Sequence, residues 1–226
     1  MEKIDQLLES GVVAVLRKLP FDKIEHIARA LVEGGVTGLE VTVDSERALE
    51  AIQKCKQVAG DRAVVGAGTV LNGQAAQEAI DAGAEFIFAP ILDEETIRVA
   101  NANRVIVIPG VYTPTEAHQA HVFGADLVKI FPADTLGPAF IKGLQGPLGH
   151  IKMMPTGGID ETNIASYIQA GAVAAGAGGA LLKKSFIDEQ DWQGLRDHAA
   201  KFVTAATGVK SNNHEEKPGT YWVFSS

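Results

Sequence analysis

Short β-branched runs alternate with longer helical stretches along almost the whole chain, and this alternation limits the folds open to it. The runs cover residues 12–16, 39–43, 63–70, 85–89, 105–108, 127–131, 151–154 and 173–177, eight in all, the last rich in Ala and Gly. The stretches between them carry helical spacing. Over 23–33 the residues Ile24, Ile27, Ala28, Leu31 and Val32 fall on one stripe. Ile97 and Ala100 do so over 93–102, and Ile164, Tyr167 and Ile168 over 160–170. Asp160 or Glu161 suits a helix start, where negative charge is favoured. Residues 191–206 read as a final helix. Gly34, Gly35, Gly83, Gly124 and Gly171 each follow a helical stretch, where left-handed C-caps are expected.

Strands alternating with helices imply βαβ units and a parallel sheet. Eight units predict an α/β fold, a compact (β/α)8 TIM barrel with an extra N-terminal helix over residues 1–10. An open doubly wound sheet is the rival. Against it, eight regular units fill the chain, and no Gly-x-Gly-x-x-Gly turn follows the first run. With 226 residues, 46% hydrophobic and 21% charged, the chain can bury the core of one large domain, placed at 1–208. Residues 209–226 are polar and predict a flexible tail that carries an aromatic patch, Tyr221, Trp222 and Phe224.

The net charge of −8 is a poor match for a phosphate backbone, so no nucleic-acid partner is expected. No apolar run is long enough to span a bilayer, and residues 1–10 lack the apolar core of a signal peptide. A cytoplasmic protein without a membrane partner is the expectation. The single cysteine, Cys55, excludes an intramolecular disulfide and reads as a half-buried thiol on a helix over 51–58.

Strands of an all-parallel barrel are buried on both faces and should be apolar. Two residues break that rule. In Leu39-Glu40-Val41-Thr42-Val43 the apolar set shares one face, so Glu40 points away from the helices and into the barrel. In Leu127-Val128-Lys129-Ile130-Phe131 the same alternation turns Lys129 inward. The plainer alternatives are a Glu40 that reaches water or an arginine at a strand end, and a Lys129 that snorkels to the rim. A dry pocket favours the neutral amine of a lysine, which attacks carbonyl carbon to form a Schiff base. A carboxylate beside it moves protons, directly or through a water. Together they suggest metal-free aldol cleavage.

Two glycine pairs follow the last two runs: Gly157 and Gly158 in Pro155-Thr156-Gly157-Gly158-Ile159, and Gly178 and Gly179 in Gly176-Ala177-Gly178-Gly179-Ala180. Loops at this place in a barrel commonly bind phosphate through bare backbone N–H groups, aided by a following helix N-terminus. Tight turns also need glycine. Thr69 closes the third run and can donate to a substrate carboxylate. Arg17, just past the first run, is the best-placed cation for an anionic substrate. A purely structural role is open for both. The six histidines are scattered, with only His118 and His121 three apart, so no metal site and no cofactor are expected.

Four motifs in order, Leu39-Glu40-Val41-Thr42, Gly66-Ala67-Gly68-Thr69-Val70-Leu71-Asn72, Val128-Lys129-Ile130-Phe131-Pro132-Ala133 and Pro155-Thr156-Gly157-Gly158-Ile159, resemble the 2-keto-3-deoxy-6-phosphogluconate (KDPG) and 4-hydroxy-2-oxoglutarate (KHG) aldolase family. The resemblance runs from about Gly11 to Leu182. It implies a class I aldolase on a (β/α)8 barrel, usually a homotrimer, that cleaves KDPG to pyruvate and glyceraldehyde 3-phosphate or KHG to pyruvate and glyoxylate. It implies Lys129 as the Schiff-base lysine and Glu40 as the proton carrier. Thr69, Pro90 and Phe131 match the pyruvate pocket, and Thr156, Gly157, Gly158, Gly178 and Gly179 the phosphate end. Two positions depart from it. Asp44 stands where some members carry an arginine, and Ala180 where some carry a serine. Arg17 is then the candidate to supply the missing positive charge. The sister activity on 2-keto-3-deoxy-6-phosphogalactonate competes closely. Lys129 as an electrostatic clamp in another phosphate-binding enzyme, and a non-catalytic sugar-phosphate-binding barrel, are the other readings.

Overall fold

The computed structural model of the chain describes residues 2–212. The elements run α1 (Lys3–Glu9), β1 (Val12–Leu16), a 3-10 turn (Phe21–Lys23), α2 (Ile24–Glu33), β2 (Gly38–Thr42), α3 (Ala48–Ala59), β3 (Val64–Gly68), α4 (Gly73–Asp81), β4 (Phe86–Phe88) and α5 (Glu94–Ala102). They continue with β5 (Ile106–Ile108), β6 (Gly110–Val111), α6 (Pro114–Val122), β7 (Val128–Ile130), α7 (Ala133–Leu148), β8 (Met153–Pro155), α8 (Ile164–Gln169), β9 (Ala175–Ala177), α9 (Lys184–Glu189) and α10 (Trp192–Asn212). The alternation predicted from the sequence is borne out, with the short N-terminal helix in front of it. The tail expected from 209 lies outside the described residues from 213 onward, as does its aromatic patch; 209–212 belong to α10.

All strand pairs are parallel, and they form two sheets rather than one continuous ladder. One has six strands in the order β5-β4-β3-β2-β1-β9, the other three in the order β6-β7-β8. A short strand that was not predicted, β6, follows the fifth run (105–108) and is parted from β5 by Pro109, which has no N–H to donate to a ladder. Its carbonyl instead accepts from Lys129 N–H at 2.8 Å. At the other junction a single bridge pairs Thr156 with Gly176. The third run stops early because Thr69 turns to φ +58°, out of the extended region. The eighth helical stretch starts late, at Ile164, because the Asp160 carboxylate takes the N–H groups of Thr162 and Asn163 at 2.8 and 2.9 Å and holds a turn in front of the helix. Four of the five expected left-handed C-caps are present, with Gly35, Gly83, Gly124 and Gly171 at φ +91°, +100°, +95° and +113°; Gly34 instead has φ −77° and leaves the left-handed turn to Gly35.

The core falls into two clusters, as alternation requires of strands covered on both faces. Leu39, Val41, Val128 and Ile130 pack outward against the helices. Val13, Val64, Phe86, Phe88, Ile108, Leu127, Met154 and Ala174 pack against one another on the inner face, joined by Leu7 of α1. Gly38, Val64 and Val13 lie at or near the first residues of their strands, so α1 covers the N-terminal ends and leaves the C-terminal ends for the loops. Cys55 corrects one expectation. It is wholly buried in α3 rather than half-buried, and burial pushes its thiol up to about 12.

Leu7 is fully buried, so Leu7→Ala should destabilise the protein by about 2–5 kcal/mol, the usual range for opening a core cavity. Urea unfolding of both proteins reads this difference. A loss under about 1 kcal/mol would show that α1 is an accessory and not part of the core.

Candidate active site

Glu40 sits in the middle of β2, between Val15 of β1 and Gly66 of β3 in register. Its side chain crosses to the C-terminal end of β3, where Gly68 makes room; a Cβ there would overlap the Glu40 carboxyl. Glu40 is 1% exposed, and Oε2 has no hydrogen-bond partner among the described residues. Burial raises its carboxyl to about 7, against the pull of Lys129 and Arg17.

Lys129 sits between Gly110 of β6 and Met154 of β8 and is 5% exposed. Among the described residues it has no ion pair within 4.0 Å. Its Nζ lies 4.3 Å from the ring centre of Phe88 and 4.6 Å from that of Phe131. The two π-faces stabilise the ammonium in place of water. Burial still lowers the amine from its ordinary value, opposed by Glu40. Both groups are therefore displaced towards their neutral forms, and each restrains the displacement of the other. Neither the rim-snorkelling lysine nor the solvated glutamate describes them. Phe88 is a contact that the sequence reading passed over. Its signal was present, since alternation along β4 places Phe86 and Phe88 on the inner face together.

Pro90 and Phe131 line a cavity of about 370 Å³ that also takes in Gly110 and Tyr112 but neither Lys129 nor Glu40; Phe131 is its link to the Lys129 amine. Thr69 is half-buried just beyond Gly68, in a left-handed conformation costly for a β-branched residue. Arg17 is not a free cation. Its Nη2 lies 3.0 Å from Asp44 Oδ2, and Lys18 Nζ lies 3.6 Å from the same oxygen. Burial would raise the Asp44 carboxyl, but Thr42, Arg17 and Lys18 together hold it below its ordinary value. The charge that Arg17 was expected to bring is thus largely balanced by the residue it was expected to compensate for.

Thr156, Gly157, Gly158, Gly178 and Gly179 line a second cavity, of about 310 Å³. Gly157 and Gly158 have φ +101° and +69°, a consecutive pair open only to glycine without strain. Thr156 is 7% exposed, and its hydroxyl has no partner among the described residues. The helix N-terminus expected to add positive potential does not do so. α8 has six residues, and Asp160 already occupies the N–H groups in front of it. Among the described residues no three His, Cys, Asp or Glu converge as metal ligands, and no helix is long and apolar enough to cross a membrane.

The shifted carboxyl makes a stability prediction. The unfolded chain loses the Glu40 proton near 4.5, whereas the folded protein holds it up to about 7. Folding stability from this group is therefore complete below pH 4.5, falls as pH rises to about 7, and levels off above. At about 1.4 kcal/mol per pH unit the loss is about 3 kcal/mol. Glu40→Gln cannot ionise, so its unfolding free energy should gain about 3 kcal/mol on wild type between roughly pH 4 and pH 8. Denaturant titrations at both pH values measure the gap, and a constant gap would mean that Glu40 is solvated.

Comparison with known proteins gives the family. The sequence profile of the KDPG and KHG aldolase family matches residues 4–197. A 2-dehydro-3-deoxy-phosphogluconate aldolase of Dickeya dadantii is 36% identical over 209 residues, which cover 90% of this chain and 96% of that protein. A probable 2-dehydro-3-deoxy-6-phosphogalactonate aldolase of Rhizobium meliloti is 33% identical over 177 residues, 78% of this chain and 84% of that protein. The crystal structure of a KDPG aldolase from Legionella pneumophila, with pyruvate captured as a covalent carbinolamine, has a TM-score of 0.79 at 25% identity and covers 92% of this chain and 98% of its own. With a profile match over most of its length and relatives of this similarity, the chain belongs to the KDPG and KHG aldolase family of carbon–carbon lyases.

Proposed function

We propose that this protein cleaves a 2-keto-3-deoxy sugar acid 6-phosphate, KDPG foremost, or KHG, through a Schiff base on Lys129. The observation that carries this reading is the desolvated Lys129 amine, set between Phe88 and Phe131 on the same inner surface as the unpartnered Glu40 carboxyl. The neutral amine adds to the C2 keto carbon to give a carbinolamine, which loses water to a protonated imine. The C4 hydroxyl then gives its proton to the Glu40 carboxylate, directly or through one water, as the C3–C4 bond breaks. The bonding pair moves into the imine and leaves an enamine, while C4 departs as the aldehyde. Glu40 returns its proton to C3, and water hydrolyses the resulting imine to pyruvate and the free amine. A carboxyl near 7 suits both halves of that proton traffic. The cycle draws on no cofactor.

In this reading Thr69, Pro90 and Phe131 hold the pyruvate part. Thr156 and the glycine pairs hold the phosphate, with Arg17 near the mouth under the restraint of Asp44. The two sheets form one (β/α)8 barrel in which β5 and β6 together make the fifth strand. As the resemblance implies, three chains associate. The relative named for phosphogalactonate favours the C4 epimer as the second substrate to assay.

Borohydride reduction in the presence of pyruvate should attach the three-carbon unit to Lys129, read by peptide mapping. An adduct on another lysine, or none, would overturn the mechanism. Glu40→Gln should lower kcat on KDPG by about 10²–10⁴ while leaving pyruvate trapping possible. Unchanged turnover with only KM altered would remove Glu40 from proton transfer.

A further inference from the structure

The 310 Å³ cavity beside β8 and β9 is built largely from main chain, so its polarity depends on which way each peptide unit faces. A site for an anion needs N–H groups turned in and carbonyls turned away. Around this cavity the N–H groups of Gly157, Gly158, Gly179 and Ala180 have no hydrogen-bond partner among the described residues. Three neighbouring carbonyls, in contrast, are engaged. Asn163 Nδ2 donates to Gly158 O at 2.7 Å, and Leu181 and Leu182 N–H donate to Gly178 O at 3.0 and 2.8 Å. Both of those tethers come from residues close by in the chain.

The third tether is of a different kind. His198 Nε2 lies 2.9 Å from Ala180 O, reaching across 18 residues from α10. The acceptor is a carbonyl, so Nε2 must carry the proton. His198 is 6% exposed, and its ring packs 5.5 Å from Phe186 and 5.2 Å from Phe202, centre to centre. The imidazole is thus clamped by two aromatic rings and has a fixed direction. The loop it holds contains Gly178 and Gly179, which have no side chains to hold it themselves.

We propose that His198 is a positioning residue for the anion site: by holding the Ala180 carbonyl towards α10, it keeps the peptide units of residues 178–180 with their N–H groups facing the phosphate of the substrate. This rests on the proposed aldolase function for the identity of the substrate, but not for the anion-binding property of the loop. Without the tether, a glycine-rich loop can rotate a carbonyl into the cavity, where it repels an anion. His198 touches no reacting atom, so its removal acts on the phosphate end and not on Lys129.

The test uses inorganic phosphate as the ligand, read by calorimetry, beside pyruvate trapping with borohydride. His198→Phe keeps an aromatic ring and removes the donor; His198→Gln restores an N–H at a similar reach. His198→Phe should weaken phosphate binding about tenfold, and His198→Gln should return it to within about threefold of wild type. Pyruvate trapping should stay at the wild-type level in both. Unchanged phosphate affinity in a folded His198→Phe protein, or a wild type that binds no phosphate, would overturn the proposal. So would equal loss of phosphate binding and trapping, which marks general damage. Failure of trapping in wild type with phosphate binding intact would instead defeat the aldolase reading and leave the loop assignment standing. Should His198→Phe not fold, the imidazole ¹⁵N signals of the wild-type protein decide. Phosphate should shift His198 and leave the exposed His118, His121 and His150 in place, and an unmoved His198 would count against the proposal.

Discussion

A carboxyl and an amine have been taken out of water and set on the inner face of sheets whose outer face is sealed by helices. That desolvation organises the rest of the site. It displaces Glu40 to about 7 and lowers Lys129, making each available in the form that water would disfavour at neutral pH. It also demands compensation, because an isolated buried charge is costly. Phe88 and Phe131 supply π-faces to the ammonium, and the Coulomb attraction between Lys129 and Glu40 limits the shift of both. Gly68 has to be a glycine because the carboxyl occupies the space of its side chain.

The proposed phosphate end is built by other means. No cation lines its cavity; Asp160, the one charged residue in the lining, gives its carboxylate to the Thr162 and Asn163 N–H groups, and main-chain N–H groups face the space with Thr156 as the buried hydroxyl. Backbone dipoles hold an anion only while their directions are held, and glycine loops do not hold themselves. In the proposed site the carbonyl tethers from Asn163, Leu181, Leu182 and His198 therefore count as much as the N–H groups that would face an anion. Lys183 stands near this region but is directed to Glu161, with Nζ 3.4 Å from Oε1.

Between these ends lies the Arg17–Asp44 pair. The β1–β2 register sets Leu16 beside Val41, so the residues just after each strand meet above the sheet. An exchange of arginine for aspartate at position 44 would by itself reverse the local charge. Arg17 and Lys18 converge on Asp44 and restore the balance, so the mouth of the site is closer to neutral than either cation suggests. Such a mouth relies on hydrogen bonds more than on net charge to choose among anionic substrates.

Much of this was legible before any fold was known. Strand and helix alternation is a local property, and so is the side to which a residue in a strand points. Glu40, Lys129 and the left-handed glycines after the helices could therefore be read directly from periodicity. What no local pattern carries is which loop meets which. Arg17 was read as the best-placed cation for an anionic substrate, with a structural role left open, and its pairing with Asp44 could not be read because the two lie 27 residues apart, across a strand pair. The helical stretch over 160–170 was read as starting at Asp160 or Glu161, when the Asp160 carboxylate instead closes a turn in front of the helix. β6, just past Pro109, was not read, because two residues carry no periodicity and form a strand only where β7 comes alongside. His198 looked like one scattered histidine until α10 was folded against the Gly178–Ala180 loop. The sequence by itself determined the layers and the buried pair, because burial follows from spacing along one segment. Only the tertiary structure decided the pairing of charges and carbonyls, because those bonds join segments whose separation in the chain says nothing of their distance in space.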